Sequence, residues 1–321
     1  MADYRAIKGL NIQTVSSDPS NLVAGDIWYN STLGKLRGAK IVGAWSSGGN
    51  INAARQEGGG NGASQTAAWI AAGYLADTNL SLDNEHYDGT SWTEQGNINT
   101  GRKTPSGLGT TTASLVAGGE GDLAISEEFN GSAWAEGNNM NQGRSISSFA
   151  GLQTGGLIAG GWSEDAYQEE VEAYDGTSWS EVGDINTTRG DAAGCGIQTA
   201  ALMISGATAP ITVNVEQYDG SSWTEIANVN TPRTSVPVGF GTTAAAIFCA
   251  GGTPSPSALT ELWDGTSWTE VGDLPAGYRF SQGAGTQAAG LRFAGANPTP
   301  AQSNVTDEWT YGAVASNWDT T

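Results

Sequence analysis

One hexapeptide, an aromatic residue followed by Asp/Asn, Gly, Ser/Thr, Ser/Ala and Trp, returns along the whole chain and narrows what it can fold into. The copies read YDGTSW ending at Trp92, FNGSAW at Trp134, YDGTSW at Trp179, YDGSSW at Trp223 and WDGTSW at Trp268, with weaker echoes ending at Trp45 and Trp318. Neighbouring copies stand 42 to 50 residues apart, the period of propeller blades and not of helical solenoids. Each repeat is then one structural unit, and the 321 residues are expected to form a single large domain.

A second series runs in phase with the first. Arg55, Arg102, Arg144, Arg189 and Arg233 each follow a repeat Trp by ten residues, Arg279 follows Trp268 by eleven, and Arg5 precedes Trp45 by forty. Seven Arg in register predict seven blades, at about 5–54, 55–101, 102–143, 144–188, 189–232, 233–278 and 279–321. The alternative is six blades from Arg55 onward, with residues 1–38 as an attachment arm and the Trp45 strand closing the ring.

The stretch from Arg189 to Trp223 divides into four strands. A Gly/Ala-rich strand near 191–198 suits the crowded centre of a ring. Residues 200–205 are the short apolar run expected of a strand buried on both faces. A third strand near 213–218 is turned by Asp219-Gly220 into the fourth at Trp223, because Asp and Gly accept the backbone angles that tight hairpins require. A buried Trp stabilises by about 4 to 6 kcal/mol as an upper estimate, far less than the ordering entropy of some forty residues at about 1 to 2 kcal/mol each. No blade stands alone, and neighbours must complete its core.

The order of Arg, small-residue strand, apolar strand ending in Gly-Gly, variable loop, Tyr-Asp, Trp and Arg resembles the Kelch repeat, which implies an all-β propeller of four-stranded blades. The Gly-Gly pair stands at Gly118-Gly119, Gly160-Gly161 and Gly251-Gly252, with departures at Gly73-Tyr74, Gly206-Ala207 and Gly295-Ala296.

Composition and motifs bound the chemistry. Thirty-three acidic against 13 basic residues give a formal charge of −20, so nucleic acid is not an expected partner. No long apolar run predicts membrane insertion, and no secretory signal is read. Cys195 and Cys249 fall in different repeats and read as unpaired core thiols. The single histidine, His86, lies in a third-strand segment and reads as structural. No phosphate loop, GxSxG, HExxH or Cys-x-x-Cys occurs, so no enzyme activity, cofactor or metal is expected. The DGTSW string is similar to the Asp box of sialidase propellers but lacks one residue between Asp and Gly. Copper chemistry on this scaffold would need paired His ligands, which are missing. Glu94, Glu136, Glu181, Glu225 and Glu270, each two residues after a repeat Trp, are expected to pair with the repeat Arg and staple blades together.

Variable connections between second and third strands are the candidate binding surfaces, and Trp162 and Tyr167 are the candidate sugar or protein anchors. The opening segment, with Gly25-Asp26 leading to Trp28-Tyr29-Asn30 in a hairpin turned at 30–34, and runs such as GNINTGR and GTQAAG, resemble phage virion proteins, especially those of marine phages. That resemblance implies a non-enzymatic structural or adhesion protein of a tail, fibre or other exposed part of the virion, assembled in the host cytoplasm. Its partners would be other virion proteins and a host-surface polysaccharide or protein. A free carbohydrate-binding lectin is the alternative.

Overall fold

The computed structural model describes residues 12–23, 25–75, 79–208, 210–252, 254–297 and 302–317, so Arg5 and Trp318 lie outside the described residues. Every regular element among them is a strand. The chain forms two compact units, residues 1–43 with 311–321 and residues 44–310, where a single domain was expected.

The large unit is a ring of six blades, not seven. Five four-stranded antiparallel sheets follow one another along the chain, begun by the strands Gly59–Ser64, Ser106–Thr110, Ser148–Leu152, Ala193–Ile197 and Val238–Thr242. The sixth takes Gln282–Gly285, Ala289–Phe293 and the first part of Thr306–Asn317, and its outer strand is the end of Lys35–Ser47. Gly48 N donates to Thr306 O at 2.9 Å, and the Trp45 and Trp309 rings lie 5.2 Å apart. Trp45 therefore completes the last repeat instead of a first blade of its own, and the proposed blade 5–54 does not form. The six innermost strands pack in a closed cycle, with Gln282–Gly285 returning to Gly59–Ser64.

In the fourth blade the strands are Ala193–Ile197, Ala200–Ile204, Val215–Tyr218 and Trp223–Ile226, within two residues of the sequence reading. Asp219 Oδ1 accepts the Ser221 and Ser222 amides at 2.9 Å, which makes the Asp-Gly turn. Trp92, Trp134, Trp179, Trp223 and Trp268 are buried, each 4.7 to 5.3 Å from the aromatic residue that opens its hexapeptide. Two of them also reach backwards to a backbone carbonyl: Trp179 Nε1 donates to Asn138 O of the preceding blade and Trp268 Nε1 to Ala227 O. Trp223 and Tyr218 share one apolar cluster with Leu157 and Ile185, so each core lies between two blades. Gln198, at the turn between first and second strands, donates to Gly156 O and Tyr174 O one blade back.

The repeat Arg are buried, but their carboxylates are not the expected ones. Arg144 pairs with Glu172 at 2.8 Å, Arg189 with Glu216 at 2.6 Å and Arg233 with Glu261 at 3.0 Å, and Arg55 and Arg102 pair with Glu85 and Glu127. These acids belong to the third strand of the Arg's own blade, two residues before the hexapeptide aromatic. Glu94, Glu136, Glu181, Glu225 and Glu270 stand directly across from them on the fourth strand and are exposed. The fourth strand is an edge and leaves its acids in water, whereas the third is covered on both sides. The ion pair therefore ties strands within a blade and does not staple blade to blade. An Asn three residues before each Arg completes the cluster: Asn186 donates both its backbone N–H and its amide to Glu216 Oε2 at 2.7 Å. Asn52, Asn99, Asn141 and Asn230 contact Glu85, Glu127, Glu172 and Glu261 in the same way through their backbone N–H.

The sixth blade breaks the pattern. Ala276 stands where the Asn would be, and the buried acid, Asp307, is taken by Arg292 from the second strand. Arg292 also stacks over Tyr278 at 3.5 Å. Arg279, expected as the sixth structural Arg, is only half-buried and lies 5.4 Å from the Phe280 ring. Aspartate is one methylene shorter than glutamate, and a closer cation replaces the usual one.

In the small unit, Gln13–Val15 runs parallel to Ile27–Asn30, which forms a hairpin with Lys35–Ser47 through a turn containing Gly34 at φ 65°. Asp18 accepts from Asn30 Nδ2 and Trp28 Nε1 at 2.9 Å and pairs with Arg37 at 2.9 Å. Those donors, Asn30 foremost, hold its carboxyl below the ordinary value.

Removing one partner of a buried pair strands the other charge, at a cost of about 3–5 kcal/mol. Arg189→Met and Arg292→Met are therefore expected to lower unfolding free energy by about that amount, and Arg279→Met to stay within about 1 kcal/mol. Denaturant titration of the three variants checks this ranking, and equal losses for Arg279 and Arg292 would refute it.

Candidate functional site

Each innermost strand is entered through a residue with left-handed backbone one or two positions after the repeat Arg. Glu57, Thr104, Ile146, Asp191, Ser235 and Phe280 all have φ between 49 and 61°. A side chain there costs on the order of 1–2 kcal/mol, so something must hold it. The answer is a circle of neighbours joined by backbone hydrogen bonds at five of its six links: Thr104 N donates to Glu57 O, Ile146 N to Thr104 O, Asp191 N to Ile146 O, Phe280 N to Ser235 O and Glu57 N to Phe280 O, at 2.7 to 3.2 Å. The remaining link, between Asp191 and the fifth blade, has no backbone bond of this kind, and there the Val236 N–H lies beside the Asp191 carboxylate.

Second strands end in an equally regular way. Ala72-Gly73, Gly118-Gly119, Gly160-Gly161, Ser205-Gly206, Ala250-Gly251 and Ala294-Gly295 all have positive φ, which puts the pair one residue earlier than the sequence reading at Gly73, Gly206, Gly251 and Gly295. The second member must be Gly. A Cβ on Gly161 would lie 2.7 Å from Ser145 O, and its N–H donates to the Arg189 carbonyl of the next blade. Gly295 donates to Arg55 O, which joins the sixth blade to the first.

Over this mouth lies a cavity of about 540 Å³. Trp162 and Tyr167 form one wall, and Glu57, Lys103, Asp165, Asp191 and Phe280 are among the rest. The two aromatic residues sit on a small hairpin, Trp162–Ser163 paired with Ala166–Tyr167, whose turn residues Glu164 and Asp165 have φ 50 and 61°. Their rings meet edge to face at 4.9 Å. Asp122 braces the turn by accepting from Glu164 N at 3.2 Å, and Lys103 is neutralised by Glu120 at 2.8 Å. Burial, with Glu57 adding repulsion, pushes the Asp191 carboxyl from 3.8 up to about 6, although the Val236 N–H pulls the other way. Burial also raises Glu57.

At the other end of the innermost strands a second cavity, of about 230 Å³, is lined by Gly from every blade, two each from the fourth and fifth, together with Phe149 and Phe240. Asn61 is its one amide side chain, and Cys195 its one thiol. Cys195 and Cys249 are free and buried, with thiols pushed up to about 12 by burial, so neither is a nucleophile at neutral pH. His86 packs edge-on to Phe129 at 5.4 Å, and burial lowers it to about 4. It lines neither cavity. Among the described residues no group of three or more His, Cys, Asp or Glu is placed to hold a metal ion. The mouth presents aromatic faces, whose chemistry suits an apolar or sugar-ring surface, and carboxylates, whose chemistry suits hydroxyl or ammonium donors.

Sequence reasoning singled out Trp162 and Tyr167, and the structure brings them together. It missed Glu57, Lys103, Asp191 and Phe280, whose only sequence mark is a fixed offset of one or two residues from the repeat Arg.

No family model matches the chain, and no curated protein is similar to it. Among solved structures, one titled "Structure of YjhT", a Kelch-repeat β-propeller, is similar with a TM-score of 0.66 and 16% identity, over 85% of this chain and 100% of that one. The fold is a Kelch-like propeller. Identity at that level speaks to the fold alone.

A carboxyl whose folded pKa is raised makes stability fall as pH climbs from the unfolded to the folded value, because the folded state holds the proton longer. For Asp191 that window runs from 3.8 to about 6. Asp191→Asn is expected to unfold later than the parent above pH 6, by about 1–3 kcal/mol, with the gain shrinking to nothing at the acid end. Denaturant midpoints across that range test it, and a variant less stable than the parent at high pH would contradict it.

Proposed function

We propose that this protein is a non-enzymatic recognition and assembly module, a structural or adhesion component of a phage particle displayed on a tail, fibre or other exposed surface. It assembles with other virion proteins in the host cytoplasm and turns its mouth cavity toward a host-surface polysaccharide or protein. The observation that carries the recognition role is the Trp162 and Tyr167 hairpin. In the third blade alone, among the described residues, a connection folds into its own paired strands inside a blade and places two aromatic rings beside carboxylates. Loops that differ on a rigid repeated frame are where binding specificity resides. The phage assignment rests on the opening segment and the repeat style, and the charge of −20 favours uncharged or cationic ligands over nucleic acid.

A free carbohydrate-binding lectin is the second reading, favoured by the same aromatic and carboxylate wall. Co-sedimentation separates the two: a virion component pellets with purified particles, whereas a lectin remains free and binds immobilised polysaccharide saturably. In either case Trp162→Ala is expected to weaken binding to host cells or polysaccharide more than about tenfold while the unfolding midpoint stays in place. Undiminished binding by that variant would remove the cavity from the function.

A further inference from the structure

Among the described residues the small unit carries an exposed apolar sheet face. Ile27 and Tyr29 alternate along their strand with buried Trp28 and Asn30, and Leu36 stands directly across from Tyr29. The three are 41, 40 and 37% exposed. Val23 and Leu33 nearby are 65 and 51% exposed. The opposite face is closed on itself, since Trp28, Asn30 and Arg37 all engage Asp18. Of the large apolar residues exposed across the described chain, Ile12, Val23, Ile27, Tyr29, Leu33, Leu36, Ile41 and Val314 all fall in this small unit, against five in the much longer propeller. Among the described residues the strand Gln13–Val15 has a neighbour on one side only.

Charge says what can cover that face. Residues 1–43 and 311–321 hold five of the 13 basic residues and four of the 33 acidic ones, close to neutral, leaving eight basic and 29 acidic residues between them. Six of those eight are Arg locked in buried ion pairs, so the propeller surface keeps only Lys103 and Arg279 against its acids. Two propellers repel each other, whereas two small units do not. The apolar surface of this chain that matches it in extent is the same face of another copy, because among the described residues the much longer propeller exposes only five large apolar side chains, Leu80, Leu82, Leu152, Ile197 and Ile211.

We infer that the chain self-associates through its small unit, the Ile27, Tyr29 and Leu36 face of one copy meeting that of a second in a closed, isologous contact. This goes beyond the recognition role and does not depend on it. The full-length protein is followed by sedimentation velocity from low to high micromolar concentration, for the parent, Tyr29→Glu, Leu36→Glu and Ile197→Glu, the last an exposed propeller position. The parent and Ile197→Glu are expected to form the same discrete oligomer. Tyr29→Glu and Leu36→Glu should raise its dissociation constant more than about tenfold with the thermal melt of the propeller unchanged. Added salt should strengthen the parent's association by screening the acidic bodies. A parent that stays monomeric throughout, or an oligomer indifferent to both small-unit variants, would overturn the inference. Loss of ligand binding by Trp162→Ala reports on the other reading and leaves this one untouched.

Discussion

A guanidinium sealed away from water has to be met by a carboxylate, and in this propeller that requirement is satisfied once per blade. The pair fixes the Arg segment against the third strand of its own blade, and the Asn three residues earlier saturates the second carboxylate oxygen. Desolvation makes such a pair a poor source of net stability, since two apolar residues could fill the same space. Its contribution is geometric. With the Arg side chain held, its carbonyl is presented to the Gly of the preceding blade, as Arg189 O is to Gly161 N, and one blade is set against the next.

In five of the blades the ring of left-handed residues at the mouth directly follows that anchor. The chain leaves a fixed Arg and must enter an innermost strand four residues later, and between the two the backbone of Thr104, Ile146 and Asp191 takes a region that side chains avoid. Each is retained by a hydrogen bond to its neighbour, in a circle that such bonds join at five of its six links. The sixth blade keeps Phe280 in that circle while surrendering the usual Arg to Arg292, so the buried charge and the mouth geometry are separable.

Much of the fold was legible because its marks are local. The hexapeptide states an Asx turn, an aromatic pair and an outer strand in six residues, and the alternation of small and apolar runs places the inner strands within two residues. Three things were harder to read. Trp45 has the spacing of a repeat but serves the far end of the chain, and spacing alone does not distinguish a first blade from a last strand. The ion pairs were given the wrong carboxylates because Glu94 and Glu85 face one another across two strands, and only burial tells them apart. The signal was nevertheless there, as an Asn three residues before five of the Arg and Ala276 before Arg279. At the candidate site, the aromatic pair could be found in a variable loop, but Glu57, Asp191 and Phe280 come from three different blades and converge only once the ring exists.

A disc whose last sheet borrows its rim from the opening of the chain cannot be finished in the order in which it is synthesised. The blades begun by Gly59–Ser64 and its successors can pack as each leaves the ribosome, yet residues 44–47 have no place to go until the strand at 306–310 has emerged. Throughout translation that segment must wait, unpaired along one side, until the strand at 306–310 has been made. Completion of the ring therefore follows the synthesis of all six of its blades.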